Sequence, residues 1–202
     1  MGRFGLSKTT VDDIAREARL SRATLYRVFP GGREEIVATA VSRELDRYFA
    51  ELAAALERQS ELEELLVTAL TTAGDLLARH EVLGFLLANE PEVVVGYLAF
   101  SGADLLLARA GDFFAPYLAG HLRAEPARRV GQWLARLVLS YVACPHFEQP
   151  TLSASLLSGP PEGESRFALH PEPIGPEKAR RLVRSFVLPG IAVLKESSKE
   201  AN

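Results

Sequence analysis

The sequence predicts an all-α protein: a small basic head followed by a larger helical bundle. Apolar residues recur at i, i+3, i+4 and i+7 through most of its 202 residues, and no stretch shows the period-two alternation of a half-buried strand. Glycine and proline separate these stretches into helix-length segments. Charge is also uneven: residues 1–33 hold seven Lys/Arg against three acids, a net +4, so the remainder carries −7 of a total of −3. The length suits one or two small domains, and 48% apolar with 24% charged residues reads as soluble and globular. There is no internal repeat and no sustained heptad.

The first helix is expected from Val11, with Thr10 as its N-cap. Val11, Ile14, Ala15 and Ala18 share one side, and Asp12, Asp13, Arg16 and Glu17 the other. Ser21 caps a second short helix. Leu20, Leu25 and Phe29 are expected to pack back onto Ile14 and Ala18, with the small Ala15 where the helices cross. Arg22, Ala23, Tyr26 and Arg27 then remain on a free edge. Arginine pairs bidentately with guanine, alanine and threonine touch a thymine methyl, and hydroxyls suit phosphates. Two short amphipathic helices meeting at a tight turn, with such an edge outward, describe a helix-turn-helix, and double-stranded DNA is the first partner to consider. Spacing alone also fits an ordinary helical hairpin with a solvated charged face.

Thr10, Val11, Ile14, Ala15, Ala18, Leu20, Ser21, Thr24, Leu25, Tyr26 and Phe29 fall in register with the pattern of TetR-type transcriptional regulators, which this stretch resembles. The resemblance covers about the first 45 residues by motif; the rest agrees in length and helical character only. It implies that Thr10 and Tyr26 hold phosphates and that Ser21, Arg22, Ala23 and Thr24 face the major groove. Arg27 reaches a base or a phosphate, and Arg33, opening the long helix, acts as a basic phosphate clamp aided by the helix dipole. Three departures stand out. Arg19 occupies a turn position where the family usually has glycine; a left-handed backbone there would cost an arginine on the order of 1 kcal/mol. The connection Pro30-Gly31-Gly32-Arg33 is one residue longer than the commonest form. The family also carries a helix ahead of the motif, where this chain offers Met1–Lys8 with Gly2 and Gly5, so the head is expected with its first helix cut short.

A long helix follows, from Glu34 to about Arg58, with Glu34 and Glu35 in its dipole-favoured first turn. Glu61–His80 has near-ideal helical spacing, and a short helix over Glu81–Asn89 stops before Pro91. Another helix is expected from Val93 to Ala110, with Gly111 and Pro116 breaking up the aromatic stretch after it. Two more helices are expected over Pro126–Ala143 and Pro176–Lys195, the last broken at Pro189-Gly190. Between them, residues 145–175 hold six of the twelve prolines and form a long Pro/Gly/Ser-rich loop, a disordered segment or a surface strap. The domains are therefore placed at 1–45, the DNA-binding head, and 46–202, a ligand-binding and dimerisation bundle.

In that bundle Phe85, Tyr97, Phe100, Phe113, Phe114 and Tyr117 supply aromatic surface near helix breaks. They are either core or the lining of a site for a small apolar effector. Asn89, Asp104, His80 and His121 are polar orienters or caps. Trp133, Leu137 and Tyr141 lie on one apolar stripe and Val183, Phe186 and Val187 on another; each stripe serves partly as internal core and is also a dimer candidate. The resemblance implies that these two helices pair with their twins in a homodimer, and physics favours one. A single recognition helix reads few base pairs, whereas a two-fold pair reads half-sites roughly 34–36 Å apart.

Little points to catalysis. His80, His121, His146 and His170 show no metal spacing, so no metal and no cofactor is expected, and no phosphate loop or nucleophile elbow is present. The lone Cys144 excludes a disulfide framework within the chain. With no signal peptide and no apolar run long enough for a bilayer, a cytoplasmic protein without membrane attachment is expected. The expected function is a ligand-responsive transcriptional regulator, a repressor released from a palindromic operator by a small apolar molecule. Two alternatives stand beside it. One is a helical ligand-binding or interaction protein that does not hold DNA because its first helix is missing; the other is a helical enzyme using the aromatic site.

Overall fold

The computed structural model describes residues 5–97, 102–143 and 173–200, and the described residues are predominantly helical, with no strand among them. The helices are α1 Val11–Ala18, α2 Arg22–Val28, α3 Gly32–Leu56, α4 Leu62–Ala78, α5 Glu81–Asn89, α6 Pro91–Gly96, α7 Gly102–Leu118, α8 Ala124–Ala143, α9 Pro176–Leu182 and α10 Leu188–Glu200. A π-helical segment, Val183–Val187, joins α9 to α10. The chain divides into two compact units, Met1–Ala54 and Ala55–Asn202.

In the first unit α1 packs on α2 around Ala15 and Leu25, both buried. Polar groups set the helix ends. Thr10 and Asp13 close a capping box: the Asp13 N–H donates to Thr10 Oγ1 at 3.2 Å, and the Thr10 N–H to Asp13 Oδ2 at 3.0 Å. Ser21 Oγ accepts from the Thr24 N–H at 3.0 Å and starts α2. Arg19 ends α1 at φ 55°, ψ 37°, the left-handed conformation anticipated for this position. Leu20 departs from expectation. At 47% exposure it faces solvent, and Leu25 is the buried residue of the three expected to pack there.

The second unit has the larger core. In α4, Leu65, Leu66, Ala69, Leu70 and Ala73 form one buried face, packed against α8, α9 and the π segment. Leu107, Ala110, Phe114 and Leu118 of α7 meet Ala127, Val130, Leu134 and Val138 of α8. Here two expectations are corrected. Gly111 and Pro116 do not interrupt a helix; α7 runs through both. Gly111 permits close packing: a Cβ on it would sit 3.1 Å from the Arg128 carbonyl oxygen, and one on Gly131 would sit 2.8 Å from that of Ala110. Pro116 lies in the last turn of α7, so the bond its missing N–H forgoes and the clash of its ring fall at the helix end, with two residues left to continue. Pro91 likewise starts α6 at its first position, where its missing N–H costs nothing.

Pro189 does not break the last helix either. The turn before it widens, and the Leu188 N–H bonds to the Val183 carbonyl five residues back. A π turn of this kind relieves the clash that a proline ring makes with the carbonyl four residues before it. Elsewhere in this unit Arg180 bridges Glu63 (3.0 Å) and Glu64, and Arg184 meets Glu63 at 2.8 Å, tying α9 and the π segment to the start of α4. Arg180 holds the Glu64 carboxyl below its ordinary range. Most of the 145–175 loop, with Cys144, His146 and His170, lies outside the described residues.

Candidate nucleic-acid interface

The edge of α2 is built from the turn outward. Helical spacing puts Arg22 and Tyr26, then Ala23 and Arg27, on adjacent rows, and all four are exposed. The Arg22 guanidinium lies over the Tyr26 ring, 5.5 Å from its centroid, and its Nη1 approaches Asp12 Oδ2 of α1 at 3.3 Å. The same ring also rests near Gly32, where a Cβ would come within 3.2 Å of Tyr26 Cε1. Gly32 is therefore required twice: for this approach and for its φ of +64°.

The hydroxyls are already engaged within the head. Thr10 Oγ1 donates to Asp13 Oδ2 at 2.6 Å while capping α1, and that hydroxyl is the main reason the Asp13 carboxyl titrates low. Ser21 Oγ and the half-buried Thr24 Oγ1 share a hydrogen bond of 2.8 Å. Both remain at the surface, but each has a structural task beside any contact with a phosphate or base.

Arg33 differs most from what the sequence implied. It is half-buried, and its Nε donates to the Thr9 carbonyl at 2.8 Å and its Nη2 to the Leu6 carbonyl at 2.6 Å. It therefore staples the first turn of α3 to the segment before α1 instead of standing out as a cationic clamp. Thr9, which sequence reasoning passed over, is buried and donates its hydroxyl to the Gly5 carbonyl. The T-x-x-D spacing of Thr10 and Asp13 was the available signal for the capping box; no local pattern foretold the partners of Arg33 or the approach of Asp12 to Arg22.

The bundle's candidate residues separate. Phe113 sits against Phe114 edge-on at 5.1 Å and against Tyr117 at 5.4 Å. Phe114 is buried, whereas Phe113, Tyr117 and Phe85 are half-buried and Tyr97 is exposed. Burial, aided by the Glu57 carboxylate, pushes the Tyr117 phenol up. Phe100 lies outside the described residues. Two polar candidates are local caps: His80 Nδ1 accepts from the Leu83 N–H at 3.1 Å, and Asn89 donates to the Phe85 carbonyl at 2.8 Å.

Of the expected dimer residues, Trp133 is 39% and Phe186 64% exposed, and Leu137 and Tyr141 are half-buried. Val183 and Val187 are corrected: at 0% and 3% exposure they belong to the chain's own core, because the π turn directs them inward, toward α4. Among the described residues no helix is long and apolar enough to cross a membrane.

Residues 1–40 match the family model described as bacterial regulatory proteins, tetR family. No curated protein and no solved structure matches the chain.

Proposed function

Because the head of this chain is that of the TetR family of bacterial regulatory proteins, we propose that the protein is a ligand-responsive repressor. It acts as a homodimer that binds a palindromic operator and leaves it when a small apolar effector binds. The observation that carries this reading is the exposed α2 edge, Arg22, Ala23, Tyr26 and Arg27, oriented by two side-chain caps and backed by Gly32. It presents two guanidiniums and a phenol on a basic head, while the rest of the chain is acidic. Ser21 and Thr24 complete the entering end of that helix, and Thr10 lies at the start of α1, where helix-turn-helix proteins cross the phosphate backbone.

Dimerisation through the faces carrying Trp133, Leu137, Tyr141 and Phe186 would supply the second reading head; two large exposed apolar side chains there support it. The effector is assigned to the half-buried aromatic pair Phe113 and Tyr117 of α7, whose rings lie 5.4 Å apart. Its effect is a population shift: the ligand favours a dimer whose heads no longer match the operator spacing. A differential affinity of a few kcal/mol is enough to empty the site.

Enrichment of duplexes from a random-sequence pool, followed by hydroxyl-radical footprinting, tests the reading. Two protected half-sites roughly 34–36 Å apart are expected. One isolated patch would remove the dimer, and no enrichment would leave the helical ligand-binding alternative. A panel of apolar compounds that never releases the enriched duplex would remove the effector.

A further inference from the structure

Resting on the DNA-binding reading above, we propose that Asp12 is a positioning residue for Arg22 and sets how strongly the head discriminates between duplex sequences. The carboxylate reaches from α1 to α2, with Oδ2 3.3 Å from Arg22 Nη1, while the Tyr26 ring supports the guanidinium face 5.5 Å below. The side chains stay open, 62% exposed for Arg22 and 57% for Asp12, so the pair meets any incoming duplex as a unit.

The helix itself does not require this acid. Asp13 closes the capping box with Thr10, pairs with Arg16 at 3.4 Å and already complements the dipole of α1. Asp12 instead faces the reading edge, and two consequences follow. Arginine's five N–H donors form a rigid fork, and a carboxylate on one terminal nitrogen, with a ring beneath, narrows its orientations. A duplex phosphate drawn to Arg22 is also drawn toward Asp12 and repelled by it; the neutral O6/N7 edge of a guanine is not. Asp12 thus opposes attachment to the sequence-independent backbone and leaves base readout as the favourable use of Arg22.

The test compares wild type, Asp12→Ala and Asp12→Asn, each with and without Arg22→Ala. The probes are the duplex that wild type enriches from a random pool and a shuffled duplex of the same length. Asp12→Ala should tighten binding to the shuffled duplex about three- to fivefold, the range open to an exposed ion pair. Its salt slope should steepen by about 0.9, the mark of one more phosphate contact. The ratio of specific to non-specific affinity should fall accordingly. Asp12→Asn, which keeps the shape without the charge, should tighten the shuffled duplex as much. With Arg22→Ala in place, removing Asp12 should leave the ratio unchanged. An unaltered ratio and slope in Asp12→Ala overturns the proposal, as does an equal change in the Arg22→Ala background, which would reduce Asp12 to general charge. A wild-type protein that enriches no duplex overturns the underlying reading too; a selective wild type with an indifferent Asp12→Ala overturns this inference alone.

Discussion

Between residues 5 and 33 the buried side chains are Ala15, Leu25 and Thr9, whereas α4 alone buries Leu65, Leu66, Val67, Ala69, Leu70 and Ala73. The two regions solve different problems. The bundle can hide apolar faces and is held by packing. The head must leave an edge free for a partner, so hydrogen bonds at its joints do much of what burial does elsewhere: the Thr10–Asp13 box, the Ser21 cap and the Arg33 staple. The same polar residues that would meet DNA therefore also hold the shape that meets it, and their substitutions carry both effects.

The contrast breaks first at the core. Leu66→Ala removes a fully buried side chain and should cost about 2–5 kcal/mol in denaturant unfolding. A loss under 1 kcal/mol would mean that the bundle is not packed as described. Next comes Arg33→Ala, which deprives the Leu6 and Thr9 carbonyls of a charged donor and should destabilise the head by about 2 kcal/mol. Hydrogen exchange should quicken in α1 and not in α4. If exchange is unchanged while affinity for every duplex falls evenly, Arg33 is the phosphate clamp after all.

Arg19→Gly works in the opposite direction. Relief of the left-handed arginine should stabilise the head by about 1 kcal/mol, read as a higher melting temperature. Smallest is the effect of acid. The Asp13 carboxyl is held below its ordinary 3.8 chiefly by the Thr10 hydroxyl, and that of Glu64 below 4.5 by Arg180. Because both are depressed in the folded state, their contribution is present above those values and lost as pH falls through the lowered ones. Melting between pH 6 and 3 should show this, and Asp13→Asn should abolish only the head's share.

These residues also mark how far the sequence could be read. Helical periodicity and the Thr10 and Ser21 caps were legible because each depends on neighbours within a turn; the left-handed turn at Arg19 was suggested by the glycine of the resembled family alone. Gly111, Pro116 and Pro189 misled, since punctuation rules describe isolated helices. Here close crossing uses Gly111, the last turn of α7 tolerates Pro116, and a π turn absorbs Pro189. Val183 and Val187 lie in the core while Phe186 between them is exposed, a division of one apolar stripe that its spacing did not announce. In the candidate interface the exposed row of α2 was readable from spacing. The carbonyl partners of Arg33, more than twenty residues away in the chain, and the Asp12–Arg22 bridge were not, because they exist only once the turns have closed.

The central claim is that the outer edge of α2 reads base sequence, and Arg22→Ala tests it most directly. Fluorescence anisotropy would compare the wild-type-enriched duplex with its shuffled counterpart. Loss of a bidentate base contact should weaken the enriched duplex by about 1–3 kcal/mol and leave the shuffled one nearly unchanged. Equal weakening on both would place Arg22 on the phosphate backbone and contradict base readout by this helix.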